Sequence, residues 1–567
     1  MRRVARYAFI VLFFVAGSAA VASAYSKQPT YPIASKVLTT VDQTVLPVPV
    51  PSTSPKLLPT EISKYSQYGY GLWHAGEGIA LQKRLDIMSP GYSGAEARHE
   101  AKLLRFFTIS DIHVSDKETP AQAIFYGAKG GVSSAYSGVM LYTTHVLDAA
   151  VQTINAIHRK NPIDFGLSLG DTCNSTQYNE LRWYIDVLDG KVIDPSSGAH
   201  VGTRTVDYQK PYQAAGLDKD IPWYQVLGNH DHFWLGFMPP DDYIRQALVG
   251  ENIVNLGNLF VDPRGLKSRG FYMGSIDGST TYGDVIGVGP EKAFVIPPKV
   301  LAADPDRRSL SKKEWIGEFF KTSSKPVGHG FDQGSVDRDF GCYSFEPKSN
   351  IPVKVIVLDD TQRNDDPNDN PRSLGYGHTS LDQERYDWLV RELAKGQAEG
   401  KLMIIAAHIP IGVESGDSMM AWNSNAPMSE AQLIAKLHEF PNLIAWVAGH
   451  RHCNMVTAFK SPDDDRPELG FWQIETASLR DFPQQFRTFE ILRNSDNTVS
   501  ILAIDVDTAV RAGTPAARSR SYAVAAQQIF DNPAPYLPTG SYNAELVVQL
   551  SPEMQARIQG YGTPLHK

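Results

Sequence analysis

The sequence has too little positive charge for a protein that binds nucleic acid non-specifically. Its 54 lysines and arginines are outnumbered by 62 aspartates and glutamates, which gives a formal net charge of −8 at pH 7. Non-specific binding depends on cations that neutralise backbone phosphates. A nucleic-acid scaffold is therefore not an expected partner.

The N-terminal segment lacks an apolar run long enough to span a membrane. Its apolar stretch covers residues 7–15, whereas a spanning helix needs ~20 residues. Three arginines precede this stretch, and an Ala-Ser-Ala cleavage site at 22–24 follows it. This order predicts a signal peptide over residues 1–24, a mature chain that begins at Tyr25, and a secreted or periplasmic location. A membrane anchor is the alternative reading.

The chain is too long for a single ordinary core, so insertions or a second domain are expected. An apolar content of 42% and a charged content of 20% are typical of a soluble globular protein. Alternating prolines at 47, 49 and 51 cannot join a central strand, which favours an extended arm. The predicted units are an N-terminal arm at 25–101, a main domain at 102–510 with insertions at 174–221 and 235–350, and a C-terminal tail at 511–567.

Five strand-like apolar runs each end in polar side chains that can bind metals. The runs span residues 106–110, 165–169, 222–227, 403–407 and 443–448. The polar side chains that follow them are Asp111, His113, Asp171, Asn229, His408, His450 and His452. A single such ending is more often a turn residue or a cap. Because open α/β sheets bind ligands beyond the carboxyl ends of their strands, five endings in order predict one shared site.

The chemistry of these seven side chains favours metals. Imidazole and oxygen donors without thiolate suit Zn, Fe or Mn. Seven ligands are too many for one tetrahedral ion, so the set predicts two divalent ions about 3.5–4 Å apart. A water between such ions loses a proton near neutral pH and becomes a nucleophile.

The motifs Asp111-x-His113, Gly170-Asp171, Gly228-Asn229-His230-Asp231, His408 and Gly449-His450-x-His452 resemble those of the calcineurin-like metallophosphoesterases. The resemblance covers scattered patches between residues 103 and 505. It implies an α/β fold, a four-layer αββα sandwich of two mixed sheets flanked by helices, with long insertions. It also implies a phosphatase or related phosphoric ester hydrolase that acts on a small-molecule phosphate ester.

The resemblance further implies individual roles. Asp171 bridges both metals. Asp111, His113 and His452 hold the first ion, and Asn229, His408 and His450 hold the second. His230 is expected to donate a proton to the leaving oxygen or to stabilise the phosphoryl charge, with Asp231 orienting its ring.

Two positions near the motifs bear on the chemistry of the predicted site. Asn174 stands three residues after Asp171, where many relatives have Asp and the purple acid phosphatases have a Tyr that binds iron. A tyrosinate-ferric site is therefore not implied. Arg451, between two ligating histidines, either meets a substrate phosphate or forms an ion pair.

The three cysteines are Cys173, Cys342 and Cys453, and their odd number leaves at least one without an intramolecular partner. Cys173 and Cys453 adjoin residues that the resemblance assigns to the same metal centre. A disulfide between them and two buried free thiols are both open.

Other functions also remain open at this stage. A phosphodiesterase or pyrophosphatase acting on nucleotides or lipid head groups would use the same metals. A catalytically inactive scaffold is expected to have lost ligands, and all seven are present.

Three runs after His452, at 471–476, 489–492 and 499–504, are predicted to be strands of a second sheet.

Overall fold

A computed structural model of the protein describes residues 37–257, 268–363, 377–414, 418, 420–423, 426–531 and 540–565. The predicted signal peptide at 1–24 lies outside the described residues. In the described part of the chain, no helix is long and apolar enough to cross a membrane.

The strands are numbered in chain order. They are β1 Gln43–Pro47, β2 Trp73–Glu77, β3 Gln82–Arg84, β4 His99–Ile109, β5 Phe165–Ser168, β6 Val192–Ile193, β7 Tyr212–Gln213, β8 Trp223–Gln225, β9 Asn255–Leu256, β10 Phe271–Ile276, β11 Val285–Pro290, β12 Tyr343–Phe345, β13 Val353–Val357, β14 Leu402–Ala406, β15 Leu443–Ala448, β16 Met455–Phe459, β17 Phe471–Glu475, β18 Gln485–Asn494, β19 Val499–Asp507, β20 Ala544–Val548 and β21 Thr563–Pro564.

The α-helices are numbered in the same way. They are α1 Ile124–Gly130, α2 Thr143–Lys160, α3 Tyr178–Asp189, α4 Asp242–Val249, α5 Lys312–Glu318, α6 Gln333–Arg338, α7 Gln383–Ala398, α8 Glu430–Leu437, α9 Pro515–Ile529 and α10 Pro552–Ile558.

Two large mixed sheets form the centre of the fold. The six-stranded sheet has the order β12-β13-β14-β15-β17-β16, in which β13, β14, β15 and β17 are parallel. The eight-stranded sheet has the order β3-β20-β19-β18-β4-β5-β8, with β21 also paired to β4. In it, β4, β5 and β8 are parallel, and β18 and β19 are antiparallel.

The two sheets pack face to face. The hydroxyl oxygens of Thr108, in β4, and Thr476, just after β17, are 2.7 Å apart in the buried space between them. On the inner face of the eight-stranded sheet, the Phe106 ring stacks on those of Phe165 and Phe489. Most of the residues of these strands are buried, so the apolar side chains of both sheets share one core.

Helices cover the outer faces. α7 and α8 bury leucines such as Leu389 and Leu433 against Ile405 and Trp446 of the six-stranded sheet. α2 packs Leu147, Val151 and Ile154 in the core cluster that contains β4 and β5. This arrangement is the predicted four-layer αββα sandwich, and the fold class is confirmed.

The distribution of strands between the sheets differs from the prediction. The three runs after His452 do not share one sheet, because β17 pairs with β15, whereas β18 pairs with β4 and β19 pairs with β18. The segment set apart as a C-terminal tail contributes β20, which pairs with β19. The N-terminal arm similarly contributes β3, which pairs with β20. Strands this short carry little periodicity, so their sequence resembles that of a loop.

Both predicted insertions contain secondary structure of their own. Residues 174–221 include α3 and the two-stranded β6–β7 sheet. Residues 235–350 include α4–α6, the strand β12 and the separate three-stranded sheet β9–β11.

Candidate metal centre

The seven predicted ligands come from the ends of strands in both sheets. Asp111, Asp171 and Asn229 follow the parallel neighbours β4, β5 and β8, whereas His408 and His450 follow the parallel neighbours β14 and β15. Parallel neighbours place their carboxyl ends at one edge of a sheet. Because the two sheets pack face to face, the two edges bring these side chains together.

Five of the seven ligands have an unusual backbone conformation. Asp111, His113, Asp171, His450 and His452 all have left-handed φ angles, between 46° and 68°. Such angles are uncommon for residues other than glycine, and held strain of this kind costs about 1–3 kcal/mol per residue and concentrates at functional sites. The strained turns direct the side chains away from the strands and into one buried space.

The first group of ligands consists of Asp111, His113 and His452, whose potential ligand atoms lie within 4.8 Å of one another. His113 Nε2 is 3.2 Å from His452 Nε2. His452 Nε2 is 3.3 Å from Asp111 Oδ1. These three residues are the set that the resemblance assigns to one ion.

The second group consists of Asp171, His408 and His450, which also lie within the 4.8 Å limit. His408 Nε2 is 3.2 Å from His450 Nδ1 and 3.0 Å from Asn229 Oδ1. Asn229 therefore belongs to the same group, with its amide nitrogen donating to the carbonyl oxygen of Gly236 at 2.9 Å. That hydrogen bond directs the amide oxygen toward the histidines.

Asp171 lies between the two groups. Its Oδ2 is 3.6 Å from His113 Nε2 and 3.3 Å from His408 Nε2. Its Oδ1 accepts a hydrogen bond from the backbone N–H of His230 at 2.8 Å. One carboxylate oxygen thus faces both halves of the site.

The donor set fits a cation. His408 Nδ1 lies 2.7 Å from the carbonyl oxygen of Leu169, so it carries a proton, and Nε2 is left to bind either a second proton or a metal cation. Nε2 faces two acceptors, Asn229 Oδ1 and Asp171 Oδ2. Asp111 Oδ1 and His450 Nε2 are buried without hydrogen-bond partners. Converging buried acceptors repel one another unless a positive charge lies between them.

The electrostatics of the site favour the same conclusion. Burial lowers the pKa of His408, but the Asp171 carboxylate outweighs it and raises that pKa to about 10. Burial also lowers the pKa of His452, but the Asp111 carboxylate outweighs it and raises that pKa to about 10. One histidine in each half of the site therefore favours positive charge, and these residues form a candidate divalent-metal centre.

Two further aspartates hold the histidine ligands in place. His452 Nδ1 is 2.6 Å from Asp481 Oδ2. Asp360 accepts hydrogen bonds from the backbone N–H groups of His408 and Ile409. Such outer partners orient metal ligands. Sequence reasoning missed both. Asp360 has a signal, because it follows the buried strand β13, but Asp481 has no local one.

The role predicted for Asp231 differs from its observed contacts. Its carboxylate accepts hydrogen bonds from the backbone N–H groups of Gly228, Asp171, Thr172 and Cys173, at 2.8 to 3.1 Å. It therefore ties the Asp171 loop to the Asn229 loop and does not orient the His230 ring. The reason is topological, because β5 and β8 are neighbours whose following loops lie side by side.

His230 lies at the wall of the site, in the short 3-10 turn Asn229–Asp231. Its Nδ1 is 2.7 Å from the carbonyl oxygen of Asn174. This carbonyl oxygen, and not the Asp231 carboxylate, therefore orients the His230 ring. Its ring is edge-on to that of His113, with centroids 4.4 Å apart. Burial lowers the pKa of His230. Its ring is also close enough to His113 and Asp171 to form a third group of ligand atoms.

The structure shows what the side chains of Asn174 and Arg451 contact. Arg480 Nη1 donates to Asn174 Oδ1 at 2.7 Å, so this side chain is engaged by a cation. Arg451 donates from Nε and Nη2 to the two carboxylate oxygens of Glu475, at 2.7 and 2.8 Å, and from Nη1 to Glu414 at 2.9 Å. Of the two alternatives for Arg451, the structure has the ion pair.

The three cysteines are free thiols. Cys173 is fully buried and Cys453 is partly exposed. Burial raises the pKa of Cys173 well above its usual range and raises that of Cys453 to about 12. Of the two alternatives, free thiols are present and the disulfide is not.

A cavity of about 400 Å³ opens onto the metal centre, and Asp171, Asn229, His230, His450 and His452 form part of its wall. It has the size of a small-molecule site. The insertions supply part of the lining, including Leu235 and Phe237. A small ligand in this cavity would contact both ligand groups.

Solved structures that are similar to this chain include a dimetal phosphatase. No protein family profile matches the chain, and no curated protein matches it in sequence. A crystal structure of a dimetal phosphatase from Danio rerio is 11% identical, with a TM-score of 0.36 over 72% of this chain and 97% of that one. The metal centre is therefore defined by the geometry of this chain's own residues.

Proposed function

We propose that this chain is an exported, dinuclear metal-dependent phosphoesterase that hydrolyses a small-molecule phosphate ester. The observation that supports the proposal best is the position of Asp171 Oδ2, which faces His113 and His408 from between the two ligand groups. A carboxylate shared in this way is what a two-metal hydrolytic site requires.

Six other side chains complete the two proposed ligand sets. Asp111, His113 and His452 would hold one ion, and Asn229, His408 and His450 the other, with Asp171 common to both. Two bound divalent ions supply Lewis acidity toward phosphoryl oxygens and lower the pKa of water. Mn, Fe and Zn all accept these nitrogen and oxygen donors.

The remaining residues position groups and move protons. Asp231 fixes the backbone that carries Asp171, through hydrogen bonds to that loop. The His230 ring, held through Nδ1 by the carbonyl oxygen of Asn174, keeps Nε2 for the substrate. We assign to Nε2 the exchange of a proton with the leaving oxygen.

Metal reconstitution tests this function. The purified protein would be stripped with a chelator, reloaded separately with Mn, Fe or Zn, and assayed on p-nitrophenyl phosphate, bis-p-nitrophenyl phosphate and pyrophosphate. Two metal equivalents per chain and metal-dependent release of nitrophenol are expected. The relative rates separate a monoesterase from a diesterase or pyrophosphatase. A reloaded protein that cleaves none of the substrates would refute the proposal.

The export part of the proposal is tested separately. The basic, apolar and Ala-Ser-Ala order of residues 1–24 supports removal of this segment by a signal peptidase. Mass spectrometry of the exported protein should find Tyr25 at the N-terminus. An intact Met1 on a membrane-bound form would contradict this and favour an anchor.

A further inference from the structure

We infer that the substrate is an ester of a single phosphoryl group with an apolar alcohol, and that this alcohol lies against Leu235, Phe237, Val132 and Met420. The inference rests on the proposed phosphoesterase function and names its substrate class. It follows from the position of an apolar wall beside His230 and from the charges that line the cavity.

The segment Leu235-Gly236-Phe237 packs directly on the His230 ring. Gly236 has a φ of 77°, and a Cβ atom at this position would collide with Cδ2 and Nε2 of His230. Leu235 and Phe237, on either side of this glycine, both line the cavity. Because Leu235 is only 4% exposed, an alcohol that leaves next to His230 would contact this segment mainly through Phe237.

Two more apolar side chains extend this wall toward solvent. Val132 is 45% exposed and Met420 is 37% exposed, although both are large and hydrophobic. Both line the same cavity. Exposed apolar surface at the mouth of a cavity is favourable when a ligand covers it, because burial removes that surface from water. An apolar alcohol would provide such a cover.

Among the described residues, the lining of the cavity is poor in cations that could bind a second phosphate group. Among the described residues that line it, Arg451 is the only lysine or arginine, and Glu475 and Glu414 already engage its guanidinium. Asp481, whose carboxylate is paired with His452, belongs to the same lining. Additional phosphates are normally bound by arginine side chains whose guanidinium groups are available to donate two parallel hydrogen bonds. In the described lining, pyrophosphate and nucleoside polyphosphates would instead meet the apolar wall, Ser133, Ser134 and Asp481.

A series of straight-chain alkyl phosphates, from ethyl to octyl phosphate, tests the inference on the metal-loaded protein. Ethyl and longer alcohols have nearly equal pKa values, so intrinsic reactivity stays constant while the apolar area grows. Each methylene that becomes buried should raise kcat/KM by about two- to fourfold. ADP and pyrophosphate should be cleaved with a kcat/KM at least tenfold below that of octyl phosphate, roughly the loss of one charge-assisted contact.

Substitutions in the apolar wall provide a second test. Phe237→Ser and, separately, Met420→Ser should lower kcat/KM for octyl phosphate about tenfold more than for ethyl phosphate. Met420 is at the surface, so its variant remains informative if Phe237→Ser does not fold. Val295→Ser is the matched control, because Val295 is fully exposed and does not line this cavity.

The outcomes separate the two proposals. A chain-length series that is flat in the native protein, or a preference for ADP or pyrophosphate, would overturn the substrate class and leave the phosphoesterase function standing. Unchanged discrimination in both wall variants would overturn it as well. If the metal-loaded protein cleaves no phosphate compound at all, the proposed function itself fails, and the substrate class fails with it.

Discussion

His452 and Asp481 form a close pair, with Nδ1 of the imidazole 2.6 Å from a carboxylate oxygen, although 29 residues separate them in the chain. The contact determines which way the ring faces. With Nδ1 engaged, Nε2 points to Asp111 Oδ1 at 3.3 Å and to His113 Nε2 at 3.2 Å. A carboxylate behind a ligating histidine also makes the ring a stronger ligand.

Asp481→Ala should therefore weaken the metal centre without unfolding the protein. The loss of such a partner typically costs 10–100-fold, in metal affinity or in activity. Metal titration by calorimetry, with metal content from mass spectrometry, measures the effect. Asp531→Ala is the control, because Asp531 is 74% exposed and its partner, Lys56, is also at the surface. Equal metal affinity in the two variants would contradict the role of Asp481.

Asp171→Asn tests the shared carboxylate. The substitution preserves shape, and its amide oxygen can still accept the hydrogen bond from the His230 N–H. It removes the negative charge that faces both ligand groups. Most of the activity should be lost and retention of both ions should weaken. If the variant keeps full metal content and normal turnover, Asp171 does not bridge the two halves.

His230→Ala tests proton transfer. Positioned acid–base groups contribute about 10²–10⁴-fold to rate, so turnover should fall by a factor in that range while both ions are retained. The loss should be smaller for nitrophenyl esters than for alkyl esters, because good leaving groups need less protonation. His74→Ala, on the exposed surface of β2, is the control. An equal loss for every leaving group, or loss of metal, would argue against this role.

Alkylation of the cysteines tests their redox state. We expect three free thiols per chain, since all three are unbridged in the structure. Denaturing the protein without reductant and treating it with iodoacetamide should add three carbamidomethyl groups, which intact mass spectrometry detects. Prior treatment with a reductant should change neither this number nor the metal affinity. A single adduct before reduction and three after it would show a disulfide.

The sequence by itself determined which residues are proposed to bind metal and at which points of the chain they stand. Asp111, Asp171, Asn229 and His408 each follow a buried strand-like run, and that pattern is local. A strand is recognised by a few apolar neighbours, and a polar ligand at its end is visible without knowledge of the rest of the fold. The resemblance to metallophosphoesterases added the αββα sandwich, which the structure confirms.

Only the tertiary structure decided how these local pieces are combined. β17 and β18 are close in sequence but lie in different sheets. β17 pairs with β15 in one sheet, and β18 pairs with β4 in the other. The same packing brings Asp231 into hydrogen-bonding contact with the Asp171 loop, and Asp481 with His452. It also places Glu475 and Glu414 against Arg451. Each of these partners is chosen by which loops meet at the edges of two packed sheets. Such choices depend on contacts between residues far apart in the chain, and no local pattern of side chains encodes them.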